Sequence, residues 1–346
     1  MRIIKGSSGS RWLALVGAVA ILALAAPVSA QDESPGSGNP YFEQGTEPGS
    51  GEGLRIGYIS LGEAIPFVKL VSDSIREQAD VAGAELIFCD AQIADAEALA
   101  CAQQMAVADV QGVINFQLNE QISPEICAAY GDVPTVAIDI HQEPCEVAFF
   151  GADNRFAGFV AGEAVGQHLA AGMDCMYDQV ITLESVAAGI VNEDRTLGSI
   201  EGFESICGEV PDDKIQRIDV GGTTDLALTS VGNLLPTIPA GGRLIVLSLN
   251  DDMALGALAA ARTAGRESEL VIGAQGADPS SWPEIACNPQ WIADAAYFPE
   301  RYGRTAVPAM IDILAGESVP ELLFTPHVPV TAENIFELYP EAPACG

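Results

Sequence analysis

Short apolar runs alternate with stretches of helical spacing from Leu54 to Gly276, and the alternation completes itself twice. Arg55–Leu61 (RIGYISL), Ala84–Cys89, Gly112–Leu118 and Pro134–Ile140 read as strands. Phe67–Ala82, Asp95–Ala108 and Ser123–Tyr130 read as helices between them, the first with Val68, Val71, Ile75 and Ala79 on one face. Val147–Asn154 then bridges into a second set. There Val180–Leu183, Ile215–Val220, Leu244–Leu247 and Glu269–Gly273 read as strands. Arg155–Ala171, Arg195–Cys207, Asp225–Thr237 and a run through Met253, Leu255 and Leu258 read as helices. Strand Trp291–Tyr297, helix Pro299–Leu314 and an extended run Glu321–Val330 follow. Strands separated by helices imply βαβ units and parallel sheets. The expected fold is α/β, with two doubly wound lobes and a ligand cleft between them. Gly158, Gly162 and Gly166 recur at every fourth position and predict close packing of their helix on a sheet.

The N-terminus reads as an export leader. Arg2, Lys5 and Arg11 precede the uncharged stretch Trp12–Ala26, and Val28-Ser29-Ala30 offers a small-x-small cleavage site. A signal peptide over 1–30 places the chain in the periplasm or at the cell surface; an uncleaved anchor is the alternative. Residues 31–53 hold six glycines, three prolines and no basic residue, and read as a disordered linker. The leader carries three of the 15 basic residues and no acid, so the remainder is three charges more negative than the −33 of the whole chain. That excess argues against nucleic acid as a partner.

Eight cysteines, all beyond residue 30, fit an oxidising compartment and up to four disulfides. Sequential pairing is the simplest of the many connectivities: Cys89–Cys101, Cys127–Cys145, Cys175–Cys207 and Cys287–Cys345. No CxxC is present and the three histidines are dispersed, so no metal site and no cofactor are expected.

No nucleophile elbow, phosphate-binding loop or zinc-protease motif occurs, and the chain reads as a binder rather than an enzyme. The residues at strand ends carry more information: Glu63, Phe67, Asp139, His141, Arg195, Asn250, Asp251, Gln275 and Tyr297. Carboxylates, amides and a guanidinium can bracket sugar hydroxyls, which both donate and accept. Aromatic faces cover the apolar C–H patches of a ring. Asn250 and Asp251 are equally good helix N-caps.

The run Leu249-Asn250-Asp251-Asp252-Met253-Ala254-Leu255-Gly256 resembles the "NDEMALG" of sugar-binding proteins of ABC transporters, in the ribose/galactose-binding branch. Pro66-Phe67, Ala137-Ile138-Asp139, Gly151-Ala152-Asp153-Asn154, Arg195-Thr196 and Val271-Ile272-Gly273 with Gln275-Gly276 extend the resemblance over Leu54–Val330. It implies two Rossmann-like lobes joined by a three-strand hinge. One would comprise 54–153 plus about 298–326, the other 154–297 plus about 327–346. It also implies that Phe67 stacks on a sugar ring and that Asp139, Arg195 and Asn250 bond its hydroxyls, with Gln275 and Tyr297 completing the set. Glu63 and His141 are further candidates. Gln275 stands where the family has Asp, Ile65 replaces an Asn, and Ile140 replaces an Arg, so the ligand is a monosaccharide, a cyclitol or another small polar molecule. The implied function is capture of that ligand by a monomer through hinge closure, and delivery to an ABC permease. A sensing receptor of the same fold and a secreted carbohydrate-acting enzyme are the alternatives.

Overall fold

A computed structural model describes residues 39–117 and 119–345. The leader expected over 1–30 and residues 31–38 of the expected linker lie outside that range. Two six-stranded sheets organise the chain. The first contains β1 (Arg55–Ser60), β2 (Glu85–Asp90), β3 (Gly112–Asn115), β4 (Thr135–Ile138), β5 (Glu146–Gly151) and β11 (Leu322–Phe324), in the order β2-β1-β3-β4-β5-β11, all parallel. The second contains β6 (Gln179–Glu184), β7 (Ile215–Asp219), β8 (Leu244–Ser248), β9 (Leu270–Gly276), β10 (Trp291–Ala296) and β12 (Pro329–Val330), in the order β7-β6-β8-β9-β10-β12. Only β12 runs antiparallel to its neighbour. Strands in such sheets are covered on both faces, which is why β3, β4 and β8 are buried along their whole length.

Helices α1 (Pro66–Ala82) and α9 (Gly303–Ala315) share a core with Ile56, Tyr58 and Ile114 of the first sheet. On its other face α2 (Asp95–Val107) and α3 (Ser123–Tyr130) pack with Ile59 and Val113. Neighbouring strand residues thus point to opposite layers, as a pleat requires. The second sheet repeats the plan. There α4 (Asn154–Met173) and α5 (Ile190–Cys207) cover Ile245 and Leu247. On the opposite face lie α6 (Thr224–Leu234), α7 (Asp251–Ala264), α8 (Trp282–Cys287) and α10 (Ile335–Leu338). Helix α1 shows the local logic: Pro66 begins it, Val68, Val71, Ile75, Ala79 and Ala82 are its buried stripe, and Gly83 closes it at φ 70°.

The described residues pass between the sheets three times, at 151–154, 297–302 and 325–328. Thr325 binds the first two crossings to the third: its N–H donates to Gly151 O at 2.9 Å and its hydroxyl to Tyr297 O at 3.1 Å. The four disulfides pair sequentially, Cys89–Cys101, Cys127–Cys145, Cys175–Cys207 and Cys287–Cys345. Each lies within the elements of one sheet, so none ties the lobes together.

Several expectations need correction. Residues 39–53 are not a free linker: Phe42 is 4% exposed within a hydrophobic core, and Asn39, Tyr41 and Thr46 bond to the body of the protein. Burial of Phe42 together with these hydrogen bonds holds a segment whose composition alone looks unstructured. The glycine face of α4 meets α5 rather than a sheet. A Cβ on Gly162 would lie 1.9 Å from Ser199 O, and one on Gly202 would lie 2.1 Å from Phe159 O. Helix α5 starts at Ile190, so Arg195 sits in its second turn and not at its start. The run 321–330 is split between both sheets, since it is itself a crossing.

Candidate functional site

Strand ends of both sheets converge near the crossings. Asp139 follows β4 with φ 57°, a left-handed conformation that Asp tolerates better than most residues and that tends to occur at functional sites. Its Oδ1 accepts the Ala152 N–H at 3.2 Å and the Tyr302 hydroxyl at 3.2 Å. Gly151 permits this approach, because a Cβ there would lie 2.6 Å from that oxygen. Burial pushes the Asp139 carboxyl up to about 6, against the charge of Arg195, which pulls it down.

Arg195 reaches the same place from the other lobe. Its Nε donates to Asn154 Oδ1 at 2.8 Å and its Nη1 to Leu249 O at 3.2 Å, and the guanidinium lies 4.6 Å from the centre of the Tyr297 ring. The planar group is thereby fixed while staying half-buried. Phe67 comes from α1 of the first lobe. It meets Tyr302 edge-on at 5.8 Å and packs against the second-lobe cluster that contains Tyr297.

Gln275 and Tyr297 are nearly inaccessible, at 1% and 2% exposure. Gln275 Nε2 donates to Ser199 Oγ at 3.1 Å, and its Oε1 accepts from Tyr297 Oη at 3.4 Å. They form a floor beneath Arg195. Asn250 caps α7: its Oδ1 accepts the Met253 N–H at 2.9 Å, while Nδ2 donates to Gly222 O at 3.1 Å.

Behind Asn250 and Gln275 lie three carboxylates. Asp251 and Asp294 are 1% and 0% exposed. Asp251 Oδ2 accepts from Asp278 N at 2.6 Å, and Asp294 Oδ1 from Ala277 N at 3.0 Å. Asp251 Oδ1, Asp278 Oδ1 and Asp294 Oδ2 have no partner among the described residues. Burial pushes all three upward, Asp278 to about 8 and Asp294 to about 7, and Asp294 beside it raises Asp251 further. Among the described residues no group of three such ligands is placed to hold a metal ion.

Six of the predicted residues, Phe67, Asp139, Arg195, Asn250, Gln275 and Tyr297, therefore gather at the strand ends around the crossings. Two others have charged partners of their own. Glu63 pairs with Arg76 at 2.6 Å. His141 bonds Glu146 at 2.9 Å and stacks on Phe149 at 4.4 Å. Tyr302, Asn154, Ser199 and His327 were missed. The Asn154 position lay within a motif already singled out, but the others carry no signal until the crossings are folded.

Residues 56–318 match the family described as "Periplasmic binding protein domain". The ribose import binding protein RbsB of Escherichia coli (strain K12) is 26% identical over 264 residues, covering 73% of this chain and 82% of that protein. An ABC transporter solute binding protein from Mycobacterium smegmatis, solved with bound glycerol, superposes with a TM-score of 0.69 at 24% identity, covering 85% of this chain and 99% of the other. One from Bacillus halodurans C-125, solved with bound myo-inositol, gives 0.69 at 20% identity, covering 84% and 98%. Among the described residues no helix is long and apolar enough to cross a membrane.

Proposed function

Because this chain belongs to the periplasmic binding protein domain family, we propose that it is an exported solute-binding protein, capturing a small sugar-like ligand for an ABC-type importer. A monosaccharide or a cyclitol is the ligand class, and closure of the two lobes about the three crossings is the capture step. One observation carries the reading. Asp139 of one lobe and Arg195 of the other face the same space, each held by neighbours, with the Phe67 ring beside them. A ligand that accepts from Arg195 and donates to Asp139 bonds both lobes at once, and so stabilises the closed arrangement.

In this reading Asp139, Arg195 and Asn250 bond hydroxyls, Phe67 covers a ring face, and Gln275 with Tyr297 holds Arg195 in place. The lobes comprise 54–153 with about 298–326, and 154–297 with about 327–346; the strand membership of β11 and β12 supports this division. The protein works as a monomer that presents its closed form to a permease. Periplasm or cell surface is its compartment, supported by the family and by four disulfides. It binds without turnover.

A thermal-shift panel of D-ribose, other monosaccharides, myo-inositol and glycerol tests this, with calorimetry on each hit and mass analysis of the recovered ligand. A shift with unchanged ligand supports capture. Chemical conversion of the ligand, or no shift with any member, overturns it.

A further inference from the structure

We propose that residues 39–46 form a clasp over the hinge that restrains how far the two lobes move. Neighbouring residues of this segment hold opposite sides of the crossing at 297–302. Tyr41 donates its hydroxyl to Asp312 of α9 at 2.8 Å, in the first lobe. Phe42 turns the other way, into the core cluster that contains Tyr339, Trp282 and Met253 of the second lobe. Its ring meets Phe298 edge-on at 5.6 Å, and Phe298 stacks in turn on Tyr339 at 5.8 Å. Arg301 lies over both phenylalanine rings. Phe298 itself takes φ 52°, so the backbone bends sharply where Phe42 covers it.

The segment also reaches the third crossing. Asn39 Nδ2 donates to Thr305 Oγ1 at 3.1 Å and to Phe324 O at 3.0 Å, joining the start of α9 to the end of β11. Arg304 donates to Glu43 O, and Thr46 N–H donates to Gln78 Oε1 of α1 at 3.0 Å. Consecutive Cα atoms stand about 3.8 Å apart and cannot stretch. Rotation at 297–302 that separates the Asp312 side from the Tyr339 side must therefore break the Tyr41 bond or pull Phe42 from its pocket. No disulfide spans the lobes, so nothing covalent beyond the crossings duplicates this restraint.

The test uses the full chain without ligand, so its outcome is independent of which sugar, if any, is bound. All native cysteines are paired, so nitroxide labels go only to introduced Gln103→Cys and Thr263→Cys, exposed sites on α2 and α7. Pulsed electron resonance then reads the inter-lobe distance distribution. Phe42→Ala is expected to broaden that distribution by about twofold, since it empties one anchor. Tyr41→Phe removes a single hydrogen bond, leaves Phe42 in place, and is expected to broaden it less; it decides the matter if the alanine variant does not fold. A folded variant with an unchanged distribution in both cases overturns the proposal.

Discussion

His327 Nε2 accepts the backbone N–H of Asp153 at 3.1 Å, joining the third crossing to the first. Its Nδ1 lies 2.8 Å from the Ala296 carbonyl, which can only accept, so Nδ1 carries the proton and the ring is neutral. Burial pushes its pKa down to about 4. A folded pKa below the unfolded value of about 6.5 gives stability that is present above 6.5 and is lost as pH falls toward 4. His327→Phe should remove that acid limb and strand the buried Ala296 carbonyl and the part-buried Asp153 N–H, at a cost of about 2–4 kcal/mol. Thermal unfolding between pH 4 and 7 checks this; an acid limb unchanged in the variant would sink it.

The carboxylates Asp251, Asp278 and Asp294 act in the opposite direction. Their folded pKa values are raised above about 3.9, so the stability they permit is complete below that pH and is lost as pH rises through about 7 for Asp294 and about 8 for Asp278, with Asp251 shifted in the same direction. Exposed acids have finished ionising by about pH 6, so a fall in melting temperature between pH 6.5 and 8.5 reports the buried cluster. Asp294→Asn can still accept from Ala277 and can donate toward Asp251 without a proton to lose. Its melting temperature should fall less over that window than that of the unaltered protein. A slope equal to the parent's would show that the cluster does not set the alkaline limit.

Ligand capture should follow the ionisation of Asp139. As a carboxylate it accepts hydroxyl bonds from a sugar, and as an acid it offers one acceptor fewer. Its pKa of about 6 predicts affinity that rises from pH 5 to pH 7.5. Asp139→Ala and Asn250→Ala should each weaken binding by roughly 1–3 kcal/mol. Titration calorimetry with whichever panel member binds measures both effects. Retained affinity in both variants would remove these residues from the site.

Much of this arrangement is legible before folding, because parallel strands buried on both faces leave unbroken apolar runs such as Leu244–Leu247. The positions after those runs then mark the site. Glu63 and His141 sit in such positions too, but Arg76 and Glu146 engage them nearby. Local composition does not reveal a pairing made through space. The same limit explains Phe42: its pocket is built from Phe298 and Tyr339, more than 250 residues away in sequence. The glycine period of α4 is visible, but the period alone does not say whether a strand or a helix fits against it.

Bridging of all eight cysteines is directly testable. With no free cysteine, thiol labelling of the unfolded, unreduced protein should modify none of the eight. Replacing the Cys175–Cys207 pair by serines opens a loop of sequence separation 32 and should cost about 4 kcal/mol by loop entropy. Several labelled thiols in the parent would contradict the bridges.

The meeting of α4 and α5 links packing to the site. Gly158 and Gly162 face the backbone of Arg195 and Ser199, while Gly198 and Gly202 face that of Arg155 and Phe159. The helices touch backbone to backbone, and this contact fixes where α5 carries Arg195 and Ser199 toward Gln275. A Cβ at 162 would lie 1.9 Å from Ser199 O, which is backbone and cannot rotate aside. Gly162→Ala should therefore displace α5, destabilise the fold by about 1–3 kcal/mol, and weaken ligand binding although residue 162 touches no ligand. Gly172→Ala, in the last turn of the same helix with open space around it, controls for helix propensity and should leave affinity unchanged. If Gly162→Ala loses stability but keeps full affinity, the glycine contact holds the lobe together without positioning Arg195.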